Sequence, residues 1–266
     1  MIRETYALTV RELKHWYRVK VQILMALVQP IVWLGLFGQA LNLPLPASQL
    51  ANAPNFFSYM SIGMLAVITL FTCMFGGFSL VWDRRFGFLT KLRVAPISRG
   101  TVPLSRIIAT TIRSITQAVI VFLIALAFLF VPGLIGLTVN PAFNVMDLLG
   151  LLAVLVLLAV SFSAVFISIA ISIENMETLM AVVNLLNLPI MFASAALFPT
   201  SFMPDWMKVV VNLNPLTWAV DAARIFVFHN PNPINSVWVD IAALTVFAGL
   251  MLVISYIIAR KQLSAN

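Results

Sequence analysis

Leu148–Ile173 reads LLGLLAVLVLLAVSFSAVFISIAISI. No charged side chain interrupts it, and about 20 largely apolar residues suffice to carry a helix across the hydrocarbon core of a bilayer. The apolar positions run on without alternating, which argues against a barrel strand, and a helix in lipid satisfies its own backbone. Five further runs have the same character: Ile23–Leu41, Phe57–Trp82, Ile115–Val131, Leu179–Leu197 and Val237–Ala259. The expectation is an all-α, polytopic membrane protein with six transmembrane helices, forming a single transmembrane domain over 1–266.

Composition agrees. Of 266 residues, 62% are hydrophobic and 9% charged, whereas soluble domains carry about 25% charged residues; mean hydropathy is +1.03. Sixteen Lys and Arg against nine Asp and Glu give a formal charge of +7, a basic excess that suits nucleic acid or anionic lipid. With spans this apolar, membrane lipid is the expected partner and nucleic acid is not. The single cysteine, Cys73, lies inside an apolar run. It excludes an internal disulfide or cysteine metal site and reads as a small core hydrophobe. The first twenty residues are polar and basic without an early apolar stretch, so no cleaved secretory signal is expected.

Orientation follows from the cations, since cytoplasmic loops are enriched in them. Arg3, Arg11, Lys14, Arg18 and Lys20 precede the first run; Arg84, Arg85, Lys91, Arg93, Arg99, Arg106 and Arg113 follow the second; Arg260 and Lys261 follow the last. With six crossings these all lie on one side, placing both termini in the cytoplasm of a cell whose inner (plasma) membrane holds the protein. Only Lys208 and Arg224 then fall outside.

Three connecting stretches carry their own pattern. In 1–22, Ile2, Tyr6, Val10, Leu13, Trp16 and Tyr17 share one helical face beside Arg3, Arg11, Lys14 and Arg18, which predicts an amphipathic helix in the headgroup layer; packing on a soluble partner is the alternative. In 83–106, Phe86, Leu89, Leu92 and Val94 alternate with basic residues until Pro96 breaks the pattern. This predicts a short amphipathic helix at the cytoplasmic surface, with a purely topological role for its charge as the alternative. In 199–236, two apolar pieces, Asp205–Leu213 and Leu216–Phe228, are separated by Asn214-Pro215 and bounded by Pro199, Pro204, Pro231 and Pro233. Each is too short to cross, Trp206 and Trp218 suit an interface, and the expectation is a broken, re-entrant helical hairpin in the outer leaflet. Asp221 and Arg224, at i and i+3, are placed to pair within it.

Several chemistries are missing. No G-x-x-x-x-G-K-[ST] loop occurs, so any ATP-driven action needs a motor on another subunit. The carboxylates are dispersed and none falls centrally in a span, which disfavours a proton- or ion-coupled carrier. Paired metal-binding carboxylates and an activated nucleophile are absent, which disfavours a membrane enzyme. The spans do contain small and amide residues, among them Gly76, Gly77, Ser161, Ser163 and Ser168, whose packing explains most of them. Asn184, Asn187 and Ser194 also fit a pathway lined for an amphiphile.

Two segments resemble the permeases of type-2 ABC exporters, specifically the drug-resistance and the nodulation-factor or polysaccharide export branch. One is Asp83-Arg84-Arg85-Phe86-Gly87-Phe88-Leu89 with Leu92, Pro96, Ile97, Ser98 and Arg99; the other is Leu197-Phe198-Pro199 through Trp206 to Asn214-Pro215-Leu216-Thr217, Asp221 and Arg224. Where members carry acidic residues after the Phe-Gly, this chain has Thr90 and Lys91. The resemblance implies a half-transporter: a homodimer of this chain joined to a separate ABC ATPase subunit, which would bind ATP and Mg while this chain binds no cofactor or metal and is not itself an enzyme. It implies coupling to the ATPase through Arg84, Arg85, Phe86, Gly87, Phe88, Leu89, Leu92 and Pro96. The cargo it implies is hydrophobic or amphipathic: a drug, lipid or glycan. A carrier or channel without ATP coupling is the alternative reading of the same spans.

Overall fold

A computed structural model describes residues 2–41, 45–87 and 100–262, apart from the side chain of Gln22. Among them every regular element is helical. Helix α1 (Ile2–Arg18) leads into α2 (Lys20–Val32), which continues through a π turn at Trp33–Phe37 into α3 (Gly38–Ala40). Then come α4 (Phe56–Arg85), α5 (Thr101–Ala127), α6 (Val145–Ser172), α7 (Met176–Phe192), α8 (Asp205–Asn212), α9 (Pro215–Phe228) and α10 (Val237–Gln262).

Five segments are long and apolar enough to cross a membrane: Ile23–Ala40, Phe56–Arg85, Thr101–Phe130, Val145–Ser172 and Val237–Gln262. The sixth predicted run forms α7, which has 17 residues and Pro189 near its end. At 1.5 Å per residue it rises about 26 Å, just short of the roughly 30 Å hydrocarbon core. Local chemistry sets the ends. The Asn55 side chain accepts from Ser58 N to start α4, and Asn144 forms a reciprocal capping box with Asp147 to start α6. The third span begins well before the predicted Ile115, because Arg106 and Arg113 lie inside α5 with carboxylate partners. Residues 101–106 of the predicted cytoplasmic stretch are therefore the first turns of that helix.

α4 and α6 form the centre, with α5 against both, α10 along α6, and α9 wedged among α4, α6 and α10. In lipid the hydrophobic effect does not draw helices together, so close packing and small residues must. A Cβ at Gly77 would stand 2.9 Å from the Phe166 carbonyl oxygen, and one at Gly63 would overlap the Ala196 carbonyl. Both glycines let α4 touch the backbone of its neighbours. Three span hydroxyls are satisfied within their own helices: Ser161 donates to Leu157 O, Ser168 to Ala164 O and Thr69 to Leu65 O. Cys73 is fully buried between Ser114 and Ser163.

Candidate functional site

The α4 helix ends in two polar constructions. At its C-terminal end, Asp83 accepts from Arg106 and, at 3.3 Å, from Arg11. Glu12 of α1 accepts from Arg106 at 3.0 Å, Arg11 at 3.1 Å and Arg113 at 3.3 Å, and Arg113 also donates to the Glu12 carbonyl at 2.7 Å. Glu12, Arg106 and Arg113 are buried. This knot fastens α1 to α4 and α5, helped by Thr9, which donates to Ser105 O. It leaves Ile2, Tyr6 and Tyr17 of α1 exposed, as a helix with an apolar outer face requires.

Sequence reasoning missed this knot, having counted its members as scattered surface charges. Glu12 lies 94 residues from Arg106, so no local pattern joins them. The available signal was Arg106 and Arg113 two turns apart on one face, ahead of an apolar run.

Of the predicted coupling residues, Arg84 turns inward: its guanidinium donates to Ile171 O at 2.8 Å and Ile173 O at 3.4 Å, with Glu174 at 3.7 Å. A cation there satisfies the terminal carbonyls of α6 and suits the negative end of its dipole. Arg85 is exposed, and Phe86 is 76% exposed, its ring stacked on half-exposed Trp82 with centroids 5.9 Å apart. Gly87 takes a φ of +71°, a left-handed conformation open to glycine at no steric cost. Phe88, Leu89, Leu92 and Pro96 lie outside the described residues.

At the other end of α4 sits Arg224 of α9, 2% exposed. It donates to Ala195 O at 2.7 Å, Ala196 O at 3.0 Å and Tyr59 O at 3.1 Å, and its guanidinium lies 3.4 Å from the centroid of the Tyr59 ring. The expected Asp221–Arg224 pair does not form: the guanidinium is spent on carbonyls, and Asp221 accepts from the Asn235 backbone at 2.9 Å. Burial raises the Asp221 carboxyl above the usual aspartate range against these bonds and the nearby Arg224 charge. The Asn235 amide donates in turn to buried Asp240 at 3.0 Å.

Asn214-Pro215 does two jobs. Asn214 accepts from Leu216 N to start α9, with Pro215 at the first helical position where its missing N–H costs nothing. Its amide donates to Ile190 O at 2.7 Å and Ala193 O at 2.6 Å, closing the end of α7. Pro199 precedes a 3-10 turn at Thr200–Phe202, and Trp206 on α8 is 72% exposed, as are neighbouring apolar residues of that face.

Of the three candidate pathway residues, Asn184 and Asn187 lie one turn apart on α7 and Ser194 follows its end. Asn184 is exposed, Asn187 is buried, and Ser194 donates to Met191 O beyond the helix end. Among the described residues no group of three or more His, Cys, Asp or Glu could hold a metal.

Five helices long and apolar enough to cross a bilayer, packed about α4 and α6, make the architecture of a multi-pass membrane protein. The chain belongs to the ABC-2 type transporter family, whose profile matches residues 3–228. It is 30% identical over 255 residues to the putative transport permease ycf38 of Cyanophora paradoxa, covering 95% of this chain and 84% of that protein. It is 26% identical over 260 residues to the probable doxorubicin resistance ABC transporter permease protein DrrC of Mycobacterium tuberculosis, covering 96% and 88%. Over 205 residues it is 22% identical to the daunorubicin resistance ABC transporter permease protein DrrB1 of Streptomyces coeruleorubidus, covering 77% and 68%.

Proposed function

We propose that this chain is the membrane half of an ATP-driven exporter of a hydrophobic or amphipathic substrate. Two copies form the pathway and act with a separate ATPase subunit that binds ATP and Mg. The observation that carries the reading is α4 itself. Its 30 residues make a rod of about 45 Å, the full thickness of a bilayer with its headgroups. One end carries exposed Arg85 and Phe86; the other carries Tyr59, on which Arg224 rests. The two segments that resemble the family are thus joined by a single stiff element.

In this reading α7 crosses as the sixth span despite its length, both termini are cytoplasmic, and the membrane is the inner (plasma) membrane. The stretch 1–22 lies in the headgroup layer, 83–106 engages the ATPase, and 199–236 is the outer re-entrant hairpin. ATPase closure pushes on the segment after Arg84, α4 tilts, and the hairpin held by Arg224 moves aside. The names of the doxorubicin and daunorubicin relatives support an amphipathic drug-like cargo. α7 packs mainly on α4 and presents Asn184, Leu185, Leu188 and Phe192 outward. A second copy would cover this face, with Asn184 beside the pathway.

The test is co-purification with candidate ATPases, followed by transport into proteoliposomes. The expected result is a stoichiometric complex that moves drug or lipid probes only when ATP is hydrolysed. Transport that persists without any ATPase would overturn the reading in favour of a carrier or channel.

A further inference from the structure

Two cavities meet at Arg113. The larger, about 460 Å³, lies at the charged end of α4, walled by Phe75, Phe78 and Trp82 and floored by the Glu12 knot. The smaller, about 190 Å³, lies further along α4 toward α2, among Met25, Ile68 and Phe71, with Gln29, Thr72 and Gln117 as its polar groups. Phe75 and Arg113 line both.

The larger cavity is lined by several charged side chains. Arg11, Arg106 and Arg113 line it with Glu12, Asp83 and His15, and all three arginines share the one Glu12 carboxylate. Arg106 is saturated by Glu12, Asp83 and Ser79. Arg113 is not: one terminal nitrogen serves Glu12, while Nε has no partner although the residue is 7% exposed. A buried guanidinium with an unused donor, sharing its one carboxylate with two other arginines, favours an anion as a further acceptor. The walls beyond it are apolar and aromatic, a surface for a hydrocarbon chain.

We propose that the joined cavities bind one anionic amphiphile from the cytoplasmic leaflet, its phosphate or carboxylate against Arg113 and its apolar chain passing Phe75 into the smaller cavity. The leaflet assignment rests on the orientation proposed above. The amphiphile is either a resident phospholipid or cargo on its way to export.

The experiment places the chain, alone and with its ATPase, in phosphatidylcholine nanodiscs and titrates photoactivatable phosphatidylglycerol, with a phosphatidylcholine probe of the same chain as control. Labelling is expected on peptides containing Met25 and Phe75, with at least a tenfold preference for the anionic probe. Arg113→Gln should remove that preference. Ala26→Phe, which fills the smaller cavity from α2 without touching the ion pairs, should abolish labelling of both peptides. It decides the matter if Arg113→Gln fails to fold. Equal labelling by both probes, or wild-type labelling of Ala26→Phe, would overturn the proposal. Loss of label on ATP turnover identifies cargo and its retention a resident lipid, and both support the site. Because binding is read without ATP, its failure would leave the exporter reading standing.

Discussion

Replacing Arg224 with Met tests the outer anchor. Of the three carbonyls it serves, Ala195 O keeps the Tyr59 hydroxyl at 3.1 Å, and Tyr59 O lies inside α4, where the helix supplies a donor. Ala196 O alone is orphaned, at a cost of about 1–3 kcal/mol. The lost contact with the Tyr59 ring adds about 2 kcal/mol for a desolvated cation. Removing a buried charge returns part of its desolvation cost, so the net destabilisation is about 2–4 kcal/mol. Arg224→Lys keeps the charge but not the planar fork or the stack and should lose about half as much. The assay is SDS-induced unfolding in mixed micelles followed by tryptophan fluorescence, with Asp221→Ala measured alongside. A midpoint for Arg224→Met within about 0.5 kcal/mol of wild type would refute the reasoning. So would strong non-additivity between Arg224→Met and Asp221→Ala, which would mean that the two side chains pair after all.

At the opposite end, Glu12→Gln removes the carboxylate that Arg11, Arg106 and Arg113 share and should destabilise α1 docking by about 3–5 kcal/mol, read as faster proteolysis between α1 and α2; unchanged cleavage would contradict a fastening role. Gly87→Pro cannot adopt the observed positive φ. Export should fall roughly tenfold, the size of a barrier change of about 1.4 kcal/mol, while insertion and ATP hydrolysis persist, and unchanged export would remove this turn from the coupling path. Because the Asp221 carboxyl titrates above its unfolded value, the folded state holds the proton longer. Its contribution to stability is therefore greatest at low pH and falls as pH rises from the ordinary aspartate range through the raised folded value. Asp221→Asn should flatten that part of the melting profile, and an identical profile would show that another group controls it.

What was legible in the sequence follows from how local each cause is. Leu148–Ile173 was readable because no charge interrupts its apolar run, whereas the Asn144 cap starts the helix three residues earlier, at Val145. The break at Asn214-Pro215 was readable because both residues act on the chain next to them. The start of α5 was not: hydropathy counts Arg106 and Arg113 as loop, and only partners from α1 and α4 let them sit in a helix. Arg84 was legible as a charge but not in direction, since its carbonyl acceptors on α6 are 87 and 89 residues away. Arg224 was read beside Asp221 but bonds elsewhere, because an i, i+3 carboxylate is visible in sequence and the carbonyls beyond Pro189 are not.

The wide turn at Trp33–Phe37 gives the first span one residue more than its length requires. Just past it, Gln39 is pinned to Ile135 by reciprocal bonds of 2.7 and 2.9 Å, so that end cannot slide. The extra residue therefore sits between two fixed points, the Gln39 clasp above and the packing of α2 on α5 below. Deleting one residue from this turn would swing everything beyond it by about 100° around the helix axis and carry Gln39 away from Ile135.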